Sequence, residues 1–412
     1  MELKTVDQRL HYIDHLRGFM FIIMALDHSL HAYAQKFGRF WFFYDVDRSE
    51  VFDMFYVFDQ SIIMPMIFFT IGMFVFSSIK RRGLLNFAKE RLIRIGIPFV
   101  VGVPFIVPIL SYPKFEHNEM PGLSFWDFWT QYYFTEKLQG GPFWVMYAIL
   151  LYTAILVAIY YILPPVYRLW VWGTKWAADN PVWGFLLFGF KCTVVLGVSD
   201  WIWGAPWWIG FLKIFNLQAS RILLVVIYFF VGATAVSAGL FSDNKFIDKI
   251  ADNWLKFALL TAVLGGAYMI CCVEYFDIVY GEPLLRLKQI WGEWPKAIEV
   301  SEQFLPGIIV RTTLLGYLGL SQALLLLAIF RKFFSKPTRM WTSLASNAWG
   351  IFIIHESIVV WMQYYLIDSG MSIYGKFLIT ATVGISMAWL LSDLLRRVPG
   401  IGRVLGPQKF KG

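Results

Sequence analysis

Apolar stretches close to the length of a bilayer crossing recur along the whole chain, and no other feature constrains the fold as much. A membrane-spanning helix needs about 20 mostly apolar residues. Ten stretches meet or approach that length: 16–34, 56–78, 92–110, 143–163, 182–199, 219–240, 254–274, 307–330, 346–367 and 373–394. The fifth is the weakest, because the Trp-rich "WIWGAPWWIGFLKIF" beyond it suits a re-entrant or interfacial segment. Charge is scarce: 16% of the 412 residues are charged, against about a quarter in soluble domains. The sequence predicts an all-α, polytopic membrane protein of about ten transmembrane helices, forming a single integral-membrane domain over 1–412.

The loops predict orientation. "KRRGLLNFAKERLIR" (80–94), "RKFFSKPTR" (331–339) and the tail 396–412 are strongly basic, whereas 45–53, 111–142 and 275–306 are mixed or acidic. Basic loops stay in the cytoplasm. Ten spans then place every strongly basic loop on one side and both termini in the cytoplasm, in a multi-pass protein of the cytoplasmic (inner) membrane. The net charge of +8 follows from these flanks and calls for no nucleic acid. The charged start "MELKTVDQRLHYIDHLRG" reads as the flank of a retained signal anchor. Cys192, Cys271 and Cys272 have no metal-ligand spacing and read as small buried residues.

The first apolar stretch contains Arg17, Asp27 and His28, with His15 and His31 near its ends. An ionisable residue at the centre of a bilayer costs at least about 2.5–3.5 kcal/mol on insertion scales and marks a candidate functional site. Eleven residues separate Arg17 from His28, which returns a helix to within about 20° of the same face after a rise of about 16.5 Å. Asp14 is placed to pair with Arg17. Arg17 alone is also compatible with a snorkelling anchor. Three readings fit His28: a buried histidine bonded to a neighbouring helix, a metal pair with His31 that lacks an evident third ligand, or a base in a cavity.

"RLIR" sets Arg91 and Arg94 on one face at the cytoplasmic end of the third span, with Lys80, Arg81 and Arg82 just upstream. They are either positive-inside flanks or a phosphate-binding group, since planar guanidinium forks take phosphate bidentately. Lys191, Arg311, His355 and Glu356 lie inside other spans and read as core pairs or cavity lining.

Together these residues resemble the acyltransferase-3 family of integral-membrane acyltransferases. Arg17 and His28 match its pattern of Arg, ten residues, then His. "RLIRIGIPF" (91–99) matches its Arg-x-x-Arg motif and the Pro that follows. "FFTIGMFVF" (68–76), "GPFWVMYAILLY" (141–152) and "WGIFIIHESIVV" (349–360) resemble further family segments, with Ile71 and Pro142 departing from the usual Ser and His.

The resemblance implies transfer of an acetyl or succinyl group from acetyl-CoA or succinyl-CoA to a hydroxyl of an extracytoplasmic glycan or lipid-linked sugar, without a metal. It implies His28 and Arg17 as catalytic residues, and Arg91, Arg94, Arg81 and Arg82 as holding the CoA phosphates. The long outer loops carry aromatic and acidic residues suited to sugars. A transporter or flippase for sugar-lipids, or an accessory subunit of a polysaccharide synthase, would use the same spans and charges. Cysteine-accessibility labelling should find 80–90 and 331–345 on the cytoplasmic face and 111–142 outside; labelling of 111–142 from the cytoplasm alone would refute the ten-span topology.

Overall fold

A computed structural model describes residues 9–37, 41–204, 208–274, 286, 288, 289 and 292–406. Much of the 275–306 loop and the 407–412 end of the basic tail lie outside the described residues. The described chain is almost entirely helical. In order come α1 (His11–Leu30), α2 (Glu50–Asp59), α3 (Ile63–Met73), α4 (Val75–Arg82), α5 (Leu84–Arg91), α6 (Ile97–Asn118), α7 (Trp144–Ile162) and α8 (Pro164–Asp179). They are followed by α9 (Pro181–Trp203), α10 (Ile222–Ser237), α11 (Lys245–Asp252), α12 (Trp254–Glu274), α13 (Trp294–Glu302), α14 (Leu305–Phe333), α15 (Arg339–Leu366), α16 (Ile373–Leu395) and α17 (Ile401–Leu405).

Among the described residues, eight helical stretches are long and apolar enough to cross a membrane: Glu50–Arg82, Leu84–Asn118, Gly141–Ile162, Pro181–Trp203, Trp254–Glu274, Leu305–Phe333, Arg339–Leu366 and Ile373–Leu395. The chain is therefore a polytopic all-α protein. Two further helices fall on the remaining predicted stretches. α1 is 20 residues long and carries Asp14, Arg17 and Asp27, which depress its hydropathy. α10 is apolar but has only 16 residues, about 24 Å at 1.5 Å per residue.

The fifth stretch is stronger than its sequence suggests, since α9 is a continuous helix of 23 residues. The Trp-rich segment after it forms a β-hairpin. β1 (Trp208–Phe211) pairs antiparallel with β2 (Phe215–Gln218), in the register Trp208 to Gln218 and Phe211 to Phe215. Its turn places Leu212 and Lys213 at φ 52° and 62° without a glycine. Turn chemistry therefore gives no sign of it in the sequence.

α1 lies inside the bundle, packed against α15, α16 and α14, while α9 and α12 pack on α14 and α3 on α10. Small residues let the α3–α10 pair approach closely. A Cβ on Gly72 would lie 2.0 Å from the Phe229 carbonyl oxygen, and one on Gly232 would lie 2.1 Å from that of Phe69. The contact is reciprocal, and both backbones are fixed by it. The three cysteines are buried and none is in a disulfide, as expected of small apolar residues.

Two buried ion pairs tie elements together. Arg311 on α14 bonds Asp200 on α9, both 2% exposed. Lys376 on α16 bonds Asp45 at 2.7 Å and the Ile367 carbonyl at 2.7 Å. Lys191, by contrast, lies on the outer surface of α9. Removing one partner of a buried pair leaves a stranded charge, at a cost of about 3–5 kcal/mol. Asp200→Leu should therefore sharply lower the thermal midpoint in detergent, and Arg311→Met added to it should recover most of the loss. Equal midpoints for the single variant and the native protein would show that the pair carries no stability.

Candidate functional site

α1 carries two polar groups on one face, at opposite ends. At the lower end, Arg17 donates to Asp14 at 3.1 Å, as their spacing predicts, and Asp14 also bonds Arg9 at 2.8 Å. Arg17 opens onto a cavity of about 250 Å³ that Arg82, Glu90, Arg91 and Arg94 also line. The backbone creates this convergence. α5 runs into a π-helical turn over Leu92–Gly96, in which the Ile97 amide reaches back to the Leu92 carbonyl. Such turns are widened insertions in α-helices and are frequent at functional sites.

Glu90 bonds Arg94 at 3.2 Å and also Arg82, while the Arg91 guanidinium sits 5.1 Å over the Phe87 ring. The Arg94 carbonyl accepts from the Trp349 indole at 3.1 Å. Arg81 is exposed and does not line the cavity. The cavity also has an apolar lining, which includes Phe21, Ile71, Phe74, Ile149, Ala348 and Trp349.

At the upper end, His28 meets the α15 pair His355 and Glu356. His28 Nδ1 lies 3.1 Å from His355 Nε2, with the two ring planes 15° apart. Glu356 Oε2 lies 3.8 Å from His28 Nδ1. The network fixes the protons. His355 Nδ1 faces two carbonyl oxygens, of Ile351 and Phe352, each at 2.9 Å. Carbonyls only accept, so His355 Nδ1 carries its hydrogen and a neutral His355 has a lone pair on Nε2. His28 must then donate through Nδ1, which leaves the lone pair on its own Nε2. That nitrogen lies 4.0 Å from Asp27 Oδ2. The His28 side chain is 17% exposed, so the site is neither sealed nor open.

The surroundings hold this end in place. Asp27 Oδ2 accepts from Gln60 at 3.2 Å and pairs with His31 Nε2 at 3.2 Å. Arg221 in turn bonds the Gln60 side chain at 3.1 Å and its carbonyl at 2.6 Å. His31 packs on Trp41, ring centroids 4.6 Å apart. Gln363 donates to the carbonyls of His28 and Ser29, each at 3.1 Å, and accepts from the Trp41 indole at 2.7 Å. Beyond His31, the Asp53 carboxylate accepts the backbone N–H groups of Gln35, Lys36 and Phe37 at 2.9, 3.0 and 2.9 Å, pinning the exit from α1.

The structure thus brings His28 together with His355, Glu356 and Asp27, and groups Arg17 with Arg82, Arg91 and Arg94. His15 is a satisfied core histidine, its Nδ1 2.7 Å from the Phe334 carbonyl. Asp27 is the third group that the His28–His31 spacing lacked: each of the three offers a ligand atom, all within 4.8 Å of one another. The bond between His31 and Asp27 already holds two of the three groups together. The sequence flagged His355 as a polar residue within a span, but its partner is 327 positions away.

A family model described as an acyltransferase domain matches residues 10–397. No curated protein and no solved structure matches the chain.

Proposed function

The chain belongs to the acyltransferase-3 family, and on that premise we propose that this membrane acyltransferase moves an acetyl or succinyl group from cytoplasmic acyl-CoA to a hydroxyl of an extracytoplasmic glycan or sugar-lipid. Family membership favours a transferase over a transporter or an accessory subunit. The observation that carries the proposal is the polarity of α1, with a cation-lined cavity at Arg17 and a histidine whose lone pair is available about 16.5 Å further along the same helix.

The donor's nucleotide phosphates bind Arg82, Arg91 and Arg94, with Arg17 at the inner edge of the group and Arg81 adding only long-range field. The basic loop bias supports a cytoplasmic location for this end. The acyl thioester then extends along α1 towards His28, which an acceptor reaches from the opposite side.

His28 Nε2 takes the proton of the acceptor hydroxyl as its oxygen attacks the thioester carbonyl. The C–S bond breaks, and the CoA sulfur leaves with the electron pair and recovers the proton from His28. Asp27, 4.0 Å from Nε2, stabilises the imidazolium formed in between. His355 is a positioning residue: by accepting from His28 Nδ1 it keeps the lone pair on Nε2. An acyl-imidazole route would use the same lone pair.

Incubating membranes with labelled acetyl-CoA and succinyl-CoA, and following which glycan becomes labelled, tests the activity itself. His28→Ala should fold normally and lose about 100-fold or more of the transfer rate, the usual contribution of a general base. His355→Leu should lower kcat with little change in donor KM, and His355→Gln, which restores an acceptor for Nδ1, should recover much of it. Native rates in a folded His28→Ala protein would remove the assignment.

Arg91→Lys and Arg94→Lys keep the charge but lose the fork. Both should weaken binding of full CoA thioesters and leave a pantetheine thioester, which lacks the nucleotide phosphates, nearly unaffected. Equal responses to the two donors would reduce "RLIR" to a positive-inside flank.

A further inference from the structure

The cavity at Arg17 stops short of the histidines, and what closes it is aromatic. Phe21 and Trp349 line it; His28, His355 and Phe352 do not. Phe21 on α1 faces Phe352 on α15, ring centroids 5.6 Å apart at 46°, and each is 3% exposed. Phe352 also stacks on Trp349, with centroids 5.2 Å apart at 28°, and its ring lies 6.4 Å from that of His355. Trp349, Phe352 and His355 follow one another at three-residue intervals on α15, a spacing that keeps them on neighbouring turns of one face. This aromatic column runs from the cavity to the imidazole, and Phe21 closes against its middle.

We infer that the Phe21–Phe352 pair is a closure in the donor path that sets the size of acyl group reaching His28 and keeps water on the arginine side from it. The inference rests on the donor reading proposed above. A group entering past the arginines meets the two rings before it meets His28, which lies seven residues beyond Phe21 on α1. Two apposed rings at the end of an apolar wall form a constriction that excludes water by dewetting. Excluding water matters in a transferase, since a thioester beside an activated water would be hydrolysed. The rings are held by packing alone, so rotating side chains let a narrow acyl group and the pantetheine arm behind it pass, while a broad, branched acyl group is held back.

Two measurements test this, and they fail separately. The first needs no turnover. Met24, one turn beyond Phe21 and 1% exposed, is replaced by Cys in a protein whose Cys192, Cys271 and Cys272 are Ala. A water-soluble methanethiosulfonate is applied from the arginine side. With Phe21 intact Met24→Cys should be protected; with Phe21→Ala it should react at least tenfold faster. Equal reactivity in the two backgrounds overturns the closure.

The second measurement compares hydrolysis of acetyl-CoA and the branched pivaloyl-CoA without acceptor. Phe21→Ala and the milder Phe352→Leu should raise total hydrolysis and increase the pivaloyl-to-acetyl ratio at least tenfold. An unchanged ratio in variants that keep the native thermal midpoint overturns the role in specificity. Protection of Met24→Cys that Phe21→Ala relieves, in a protein that neither binds nor hydrolyses any acyl-CoA, overturns the donor reading and the specificity role with it, while the closure against water stands.

Discussion

A helix that carries Asp14, Arg17, Asp27 and His28 cannot face hydrocarbon, and much of the architecture follows from that cost. Each charge needs a partner or water, so α1 is enclosed by α14, α15 and α16 rather than set at the rim. The partners come from the elements that enclose it: His355, Glu356 and Gln363 from α15, and Gln60 from the turn after α2. A buried polar network rigidifies its surroundings when its members are satisfied. Here it fixes the one face of α1 on which both candidate functional groups lie.

The two ends of that face solve different problems. The Arg17 end sets four guanidinium groups, of Arg17, Arg82, Arg91 and Arg94, against two carboxylates, Asp14 and Glu90, which leaves the cavity cationic. Such a group attracts a polyanion and loses strength as salt rises. At the His28 end, direction replaces net charge. Two carbonyls of α15 set the tautomer of His355, which sets that of His28, so a helix backbone decides which imidazole nitrogen can take a proton. Asp27 then waits on the side where the positive charge would appear.

Local spacing made much of this legible in the sequence. The Arg17–Asp14 pair lies three residues apart, and the Arg17–His28 face needs only helical geometry. The Arg91–Arg94 convergence was legible as a spacing, although the π turn that delivers it was not, since nothing in "RLIRIG" distinguishes a π turn from an α-helix. The His28–His355 bond was out of reach because it joins helices at opposite ends of the chain, and spacing says nothing about such pairs. Arg311 and Asp200 were hidden for the same reason. The hairpin over 208–218 was missed because its turn uses Leu212 and Lys213 where sequence rules look for Gly or Asn.

The reciprocal glycine contact between α3 and α10 has a mechanical consequence for the cavity. Ile71, beside Gly72, and Phe74, two residues beyond it, belong to its apolar wall. With Gly72 against the Phe229 carbonyl and Gly232 against that of Phe69, this wall is backed by another helix at backbone distance, with no side chains between them to compress. It behaves as an anvil. Any widening of the cavity must be taken up elsewhere, where the end of α4, α5 and the π turn carry Arg82, Arg91 and Arg94 and the short α17 ends the described chain. A bulky guest would therefore be accommodated by displacement of the cationic wall, while the apolar wall keeps its shape.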